Sequence, residues 1–259
     1  MNATLTVLGS GTSMGVPTIG CTCEVCKSKD PHDYRTRPSV MIEWDGHRVL
    51  IDTPPDFREQ AIREGIDRLD AVLYTHGHAD HILGLDDLRP LSFPRVTGGG
   101  KLPLYANANT ARVLKSVFKY VFENDYKYGG IAQVILHEIN APVEILGKTF
   151  IPVKVIHGDA EIYGYRFGSA AYLTDFSVVP EESEAQLQGL DILFLDALRH
   201  TPHPTHSTVA NSLSIVERLK PNRTYFTHIS HDLGHESTNA ALPDNVRLSH
   251  DGLRLHFEL

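Results

Sequence analysis

The segment THGHADH (75–81) sets His76, His78, Asp80 and His81 close together directly after the apolar run LDAVLY. A buried strand therefore ends where ligand-type side chains begin. His76 and His78 are two apart and share a face while the backbone stays extended. Asp80 and His81 come one step later and can serve a second ion. Neutral imidazole suits zinc, manganese or iron, and the carboxylate hardens the set. The bland alternative is a solvated histidine-rich loop, and four ligands directly after a buried strand count against it. Three further residues close apolar runs in the same way. His157 ends IPVKVIH, Asp175 ends AAYLTD and His228 ends RTYFTH. Singly, each suits a turn or a cap; together they argue for one site at a set of strand ends.

A second cluster holds all three cysteines of the chain, Cys21, Cys23 and Cys26, in GCTCEVCK. Soft thiolates select zinc, but a tetrahedral structural zinc needs four ligands, so one must come from elsewhere. His231 and His235, in THISHDLGH, both lie near a ligand-type residue, and spacing alone does not choose between them. A redox cluster is the other reading. An odd cysteine count argues against a disulfide framework, and thiolates kept for metal fit a reducing compartment.

Such side chains need rigid supports, and the sequence provides them. TLTVLG (4–9) alternates as a short strand before the turn GSGTSMG. SVMIEWDGHRVLID reads as a hairpin around Asp45-Gly46, a favoured two-residue turn. DFREQAIREG reads as a helix with Asp56 as N-cap and Gly65 as stop, and NTARVLKSVFKYVF (109–122) has apolar residues at helical spacing. QVILHEI, VEILGKTFIPVKVIH, YGYRFGSAAYLTD and LDILFLDAL read as strands. EESEAQLQG is a short polar helix, and STVANSLSIVERLKP is a helix capped by Ser207 or Thr208. TGGGK (97–101) is too short for a phosphate-binding P-loop and is expected to line the cleft as a loop.

The chain has 259 residues, a formal charge of −8 and a pI near 6.0. The acidic balance argues against a nucleic-acid polymer as partner and favours a small substrate. No secretory pattern opens the sequence, and no apolar run approaches a membrane span, so a soluble cytoplasmic protein is expected. With no linker or repeat to divide it, the expectation is a single α/β domain over 1–259, with a metal loop at 20–27. Two sheets carry helices outside.

Together, LGSGTSMGVPTIGCTCEVC, LYTHGHADHILGLDDLR, YLTD, HPTHS and THISHD resemble the metallo-β-lactamase superfamily, and within it the PhnP-type phosphodiesterases. The resemblance covers most of the chain. It implies an αββα sandwich of two mixed β-sheets flanked by helices, with a di-metal centre at the sheet edge. His76, His78 and His157 would hold one ion, Asp80, His81 and His228 the other, and Asp175 would bridge them. Asp52, ending RVLID, would orient the ligands from behind. The resemblance also favours His231 as the fourth zinc ligand. The implied cofactors are two divalent ions, manganese or zinc, plus one structural zinc.

Two ions about 3.5–4 Å apart suit phosphodiester hydrolysis, and a proton donor must then meet the leaving oxygen. RHTPHPTHST offers His200, His203 and His206. His206 is preferred because it precedes a helix start and matches the family's proton donor; Asp80 is the other residue counted as catalytic. His203, Arg35 and Arg37 are candidate substrate contacts, the arginines as clamps on a second phosphate. The expected substrate is a small cyclic, ribosyl or nucleotide-like phosphodiester, with no polymer and no membrane as partner and a homodimer as the candidate assembly. Thioester or lactam hydrolysis, transfer-RNA 3′-end processing and a non-catalytic zinc scaffold are the competing readings.

Overall fold

The computed structural model of the chain describes residues 1–123 and 130–259. One seven-stranded sheet contains β1 (Asn2–Gly9), β2 (Ser39–Trp44), β3 (His47–Ile51), β4 (Ala71–Leu73), β5 (Leu102–Ala106) and β6 (Val134–Glu138). The other consists of β7 (Val143–Ile145), β8 (Lys148–His157), β9 (Ala160–Phe167), β10 (Ala170–Leu173), β11 (Ile192–Asp196), β12 (Arg223–Thr227) and β13 (Val246–Leu248). The closing strand β14 (Arg254–Glu258) returns to the first sheet, whose order is β14-β1-β2-β3-β4-β5-β6; the second runs β13-β12-β11-β10-β9-β8-β7. Each sheet begins as antiparallel pairs and becomes parallel further along the chain, at β3/β4 in the first and β10/β11 in the second.

Alternation explains the layering. Inward residues of both sheets, among them Leu5, Ile42, Ile51, Leu73, Phe150, Tyr165, Tyr172 and Phe194, form one buried core. The opposite face of the first sheet packs on Phe57 and Leu114 of the helices Phe57–Glu64 and Ala108–Val117. That of the second packs on Ile215, Val216 and Leu219 of the helix Val209–Leu219. The result is helix, sheet, sheet, helix, as the resemblance implies.

Local signals account for most element ends. Asp45 and Gly46 both take positive φ and join Trp44 to His47 in register, as a primed hairpin turn requires. Thr208 caps its helix by accepting the N–H of Asn211 at 3.1 Å, and Gly65 closes Phe57–Glu64 in the left-handed conformation. Three expectations are corrected. Asp56 precedes that helix without capping it, because its carboxylate accepts the backbone N–H and guanidinium of Arg37, both at 2.8 Å. The 109–122 helix is two helices, Ala108–Val117 and Lys119–Phe122, where Phe118 leaves helical geometry and is buried in the core. The 97–101 loop lies beside Arg68 and Asp70, at the amino ends of β4 and β5, whereas the histidines follow the carboxyl end of β4. It does not line the cleft. No helix among the described residues is long and apolar enough to cross a membrane.

Candidate metal centre

Parallel strands in open sheets present their carboxyl ends, with the loops that follow, to one common edge. Here β3 delivers Asp52, β4 leads to His76 and His78, β10 to Asp175, β11 ends in Asp196 and β12 leads to His228. The antiparallel β8 ends in His157, and Asp80 and His81 sit on the short helix Ala79–Ile82. Asp52, Asp175 and His228 have φ of 65°, 56° and 57°. Such left-handed backbone costs energy outside glycine and collects at functional sites. Gly77 lets the histidine loop lie against the helix Ala108–Val117, since a Cβ there would stand 2.9 Å from that of Val113.

The structure brings the predicted ligands into two adjoining groups, His76/His78/His157 and Asp80/His81/Asp175/His228. His81 Nε2 is 3.3 Å from Asp80 and 3.2 Å from Asp175; His228 Nε2 is 3.5 and 3.1 Å from the same two carboxylates. Ligand bonds of about 2.0–2.2 Å put two donors on one ion roughly 3.3–3.5 Å apart, so these spacings suit a shared cation. Asp175 reaches His81 through Oδ2 and, through Oδ1, His228 and, at 4.0 Å, His76 of the other group. It spans the two groups.

Among the described residues, the buried atoms that face this corner lack hydrogen-bond partners: His76 Nε2, Asp80 Oδ2, His81 Nε2 and His228 Nε2. Leaving such atoms unsatisfied is expensive, and a cation answers all of them. The outward nitrogens are held instead. His81 Nδ1 meets Asp52 at 2.7 Å, and His157 Nδ1 meets the Thr205 carbonyl at 2.9 Å. These contacts turn the Nε2 atoms toward the centre. Asp52 is fixed in turn by the N–H and hydroxyl of Thr75, at 2.8 and 2.7 Å.

Charge follows geometry. Burial lowers the affinity of His76 for a proton, helped by His81, and burial likewise lowers that of His157; both are neutral imidazoles, as metal binding needs. Burial opposes ionisation of Asp80 and Asp175. The facing His81 and His228 outweigh it and hold both carboxyls well below their ordinary range. Burial also opposes charge on His81 and His228, yet the same carboxylates push both above the ordinary value, His228 to about 9. This corner demands positive charge, from protons or from a cation.

His206 stands beside this centre. Its ring stacks on His228 at 4.6 Å and lies 4.9 Å from His157. Its Nδ1 is 2.8 Å from the carboxylate of Asp196, which is fully buried. Sequence reasoning passed over Asp196, although it ends an apolar strand as Asp175 ends its own run. His203 is 5.0 Å from His206. His200 is exposed and faces a different cavity, lined by Leu213 and Leu242.

The cysteines form a separate cluster. His231 Nδ1 lies 3.1, 3.5 and 3.5 Å from the sulfurs of Cys21, Cys23 and Cys26. Zinc–sulfur and zinc–nitrogen bonds of about 2.3 and 2.0 Å at a tetrahedral angle give a separation of roughly 3.5 Å. His235 is elsewhere, packed with His32 and His250 at ring distances of 4.6 and 5.7 Å. Arg35 corrects its sequence reading. It is almost completely buried and donates to the carbonyls of His32, Ser230 and Leu233 and to Asp33. It clamps the segment bearing His231 and cannot reach a substrate. Arg37 is likewise committed, to Asp56 and the Ser13 carbonyl.

Burial, with His32, Arg35 and His250 nearby, depresses the His235 pKa to about 4. Between its ordinary value near 6.5 and that value the unfolded chain binds the extra proton. The contribution is therefore complete above pH ~6.5 and lost as pH falls toward ~4, on the order of 2 kcal/mol. His235→Gln is expected to flatten this part of the stability profile. Chemical denaturation of both proteins across that range checks it; parallel profiles would contradict it.

A family model for the beta-lactamase superfamily domain matches residues 47–229. An octanoyltransferase of Porphyromonas gingivalis is 39% identical over 252 residues, covering 95% of this chain and 50% of that protein. The chain thus spans about half the length of that relative. Coenzyme PQQ synthesis protein B of Methylorubrum extorquens is 36% identical over 227 residues, 73% of this chain and 71% of that protein. Among solved structures, a diphosphatase from the PhnP family is 68% identical, with a TM-score of 0.95 over 100% of this chain and 98% of that one. With its two seven-stranded sheets between helices and its ligand-type residues at their common edge, the chain belongs to the beta-lactamase superfamily.

Proposed function

We propose that the protein is a metal-dependent phosphodiesterase acting on a small cyclic or nucleotide-like phosphate ester. The observation that carries the reading is the corner of buried carboxylates and imidazoles with unsatisfied inward atoms, set directly beside the Asp196–His206 pair. His76, His78 and His157 would hold one divalent ion, Asp80, His81 and His228 a second, with Asp175 between them. Cys21, Cys23, Cys26 and His231 would hold a structural zinc. Bound divalent ions supply Lewis acidity and lower the pKa of water.

The protein's own groups do the rest. Asp52 keeps His81 in the tautomer that presents Nε2 to the centre. Asp196 takes the Nδ1 edge of His206, which leaves Nε2 to carry a proton. As the water oxygen–phosphorus bond forms, the bond to the leaving oxygen breaks. The water loses a proton to solvent, and the leaving oxygen gains one from His206. Asp196 offsets the charge His206 bears while protonated.

A diphosphate linkage is the second reading, supported by the diphosphatase name of the 68% identical structure. The experiment is turnover of bis(p-nitrophenyl) phosphate by metal-quantified protein with added manganese or zinc. Hydrolysis that rises with occupancy is expected. If metal-loaded protein cleaves neither that ester nor a cyclic ribose phosphate, the reading is wrong and a zinc-binding scaffold replaces it.

A further inference from the structure

We infer that a buried water site lies beneath the metal centre, held by Asp196 Oδ1, Thr227 Oγ1 and the Tyr172 hydroxyl, and that Tyr172 and Thr227 position the Asp196–His206 pair through it; the kinetic role rests on the hydrolytic reading above. Among the described residues these three atoms are buried without a hydrogen-bond partner, and all three side chains belong to fully buried residues. The other oxygen of Asp196 is committed to His206 Nδ1 at 2.8 Å. A buried carboxylate with one oxygen unanswered is costly, and so is a buried hydroxyl without a partner.

The sheet register brings the three groups together. β11 lies between β10 and β12. Asp196 and Thr227 are partners across the parallel strands β11 and β12. Tyr172 is the partner of Phe194, two residues before Asp196, and their rings lie 5.9 Å apart. Tyr172 and Phe194 face the core between the sheets, while Leu195 and Phe226 face the helices. Alternation therefore turns Asp196 and Thr227 to the same inner face as Tyr172. Burial raises the Tyr172 pKa, Asp52 adds to this, and the Thr227 hydroxyl opposes it. A phenol on β10 that faces a hydroxyl on β12 spans β11, where Asp196 stands. The phenol keeps its proton and is a donor. Polar atoms that converge in this way are the usual partners of an internal water. Such a water donates to Asp196 Oδ1, accepts from the phenol and pairs with the Thr227 hydroxyl. The link fixes the plane of the carboxylate, and with it the oxygen that holds His206.

Two measurements test the assignment. A high-resolution crystal structure should show one ordered water within hydrogen-bond distance of all three atoms; a floor without it overturns the inference, whatever the protein hydrolyses. Kinetics supply the second measurement. The five-membered cyclic phosphate of glycerol has an alkoxide leaving group, and bis(p-nitrophenyl) phosphate has one that departs without a proton. Tyr172→Phe and Thr227→Val should each slow the first ester about tenfold and the second far less, while Thr227→Ser keeps most of the activity. On a His206→Ala background, Tyr172→Phe should have no further effect on the cyclic ester. Equal slowing of both esters, or an undiminished effect on that background, overturns the positioning role and leaves the hydrolytic reading intact. Turnover of neither ester by the unaltered, metal-replete protein rejects the hydrolytic reading and the kinetic role with it, and the crystal structure still decides the water site.

Discussion

Asp175→Asn should lower kcat/KM for bis(p-nitrophenyl) phosphate by about 10³-fold or more, roughly 4 kcal/mol of transition-state stabilisation. The change is a single oxygen for an amide nitrogen, yet Asp175 faces three imidazoles. Its Oδ2 stands 3.2 Å from His81 Nε2, and its Oδ1 stands 3.1 Å from His228 Nε2 and 4.0 Å from that of His76. An amide offers one acceptor in place of two and no charge. The two halves of the centre then lose their common anion. The fold should tolerate the substitution, since a fully buried negative charge is removed from a corner whose partners can lose their protons. Kinetics and metal analysis on the same preparation check this. A variant with full activity and unchanged metal content would show that Asp175 only fills space.

His206→Ala should produce the second largest loss, and its size should depend on the leaving group. Esters of alkyl alcohols need the proton and should slow by about 10²–10⁴-fold; nitrophenyl esters, whose leaving groups depart unaided, should slow far less. Asp196→Asn should act in the same direction more mildly, because an amide can turn its N–H to Nδ1 and hold the wrong tautomer. Equal slowing of both ester classes by His206→Ala would remove its role as acid and leave it as a wall of the site. The comparison separates proton donation from general disruption, which would affect both classes alike.

Much of this site was legible because the fold uses strand ends. An apolar run that stops at a histidine or aspartate is visible one strand at a time, so His76, His157, Asp175 and His228 could be singled out without knowing the sheet order. Asp196 carries the same mark inside the apolar run LDILFLDAL, but its partner His206 is brought to it only by the fold. The arginines failed for another reason. Arg35 is ruled out as a clamp by backbone carbonyls at 230 and 233, nearly two hundred positions away, and no local pattern announces them. The choice between His231 and His235 was also non-local. The cysteine loop meets the former, while the latter is packed among other rings. Helix ends show how local rules yield to packing, as Asp56 gives up its capping role to Arg37 and Phe118 breaks its helix to enter the core.

The most direct test of the central claim is a metal titration followed by activity and metal content together. Protein stripped by a chelator under mild conditions should retain about one tightly held zinc per chain at the cysteine cluster, and phosphodiesterase activity should return as two further divalent ions bind. Hydrolysis that tracks those two equivalents, and that Asp80→Ala prevents, is the predicted result. Full occupancy of both groups without hydrolysis of any phosphodiester, or equal hydrolysis by the fully stripped protein, would contradict the account.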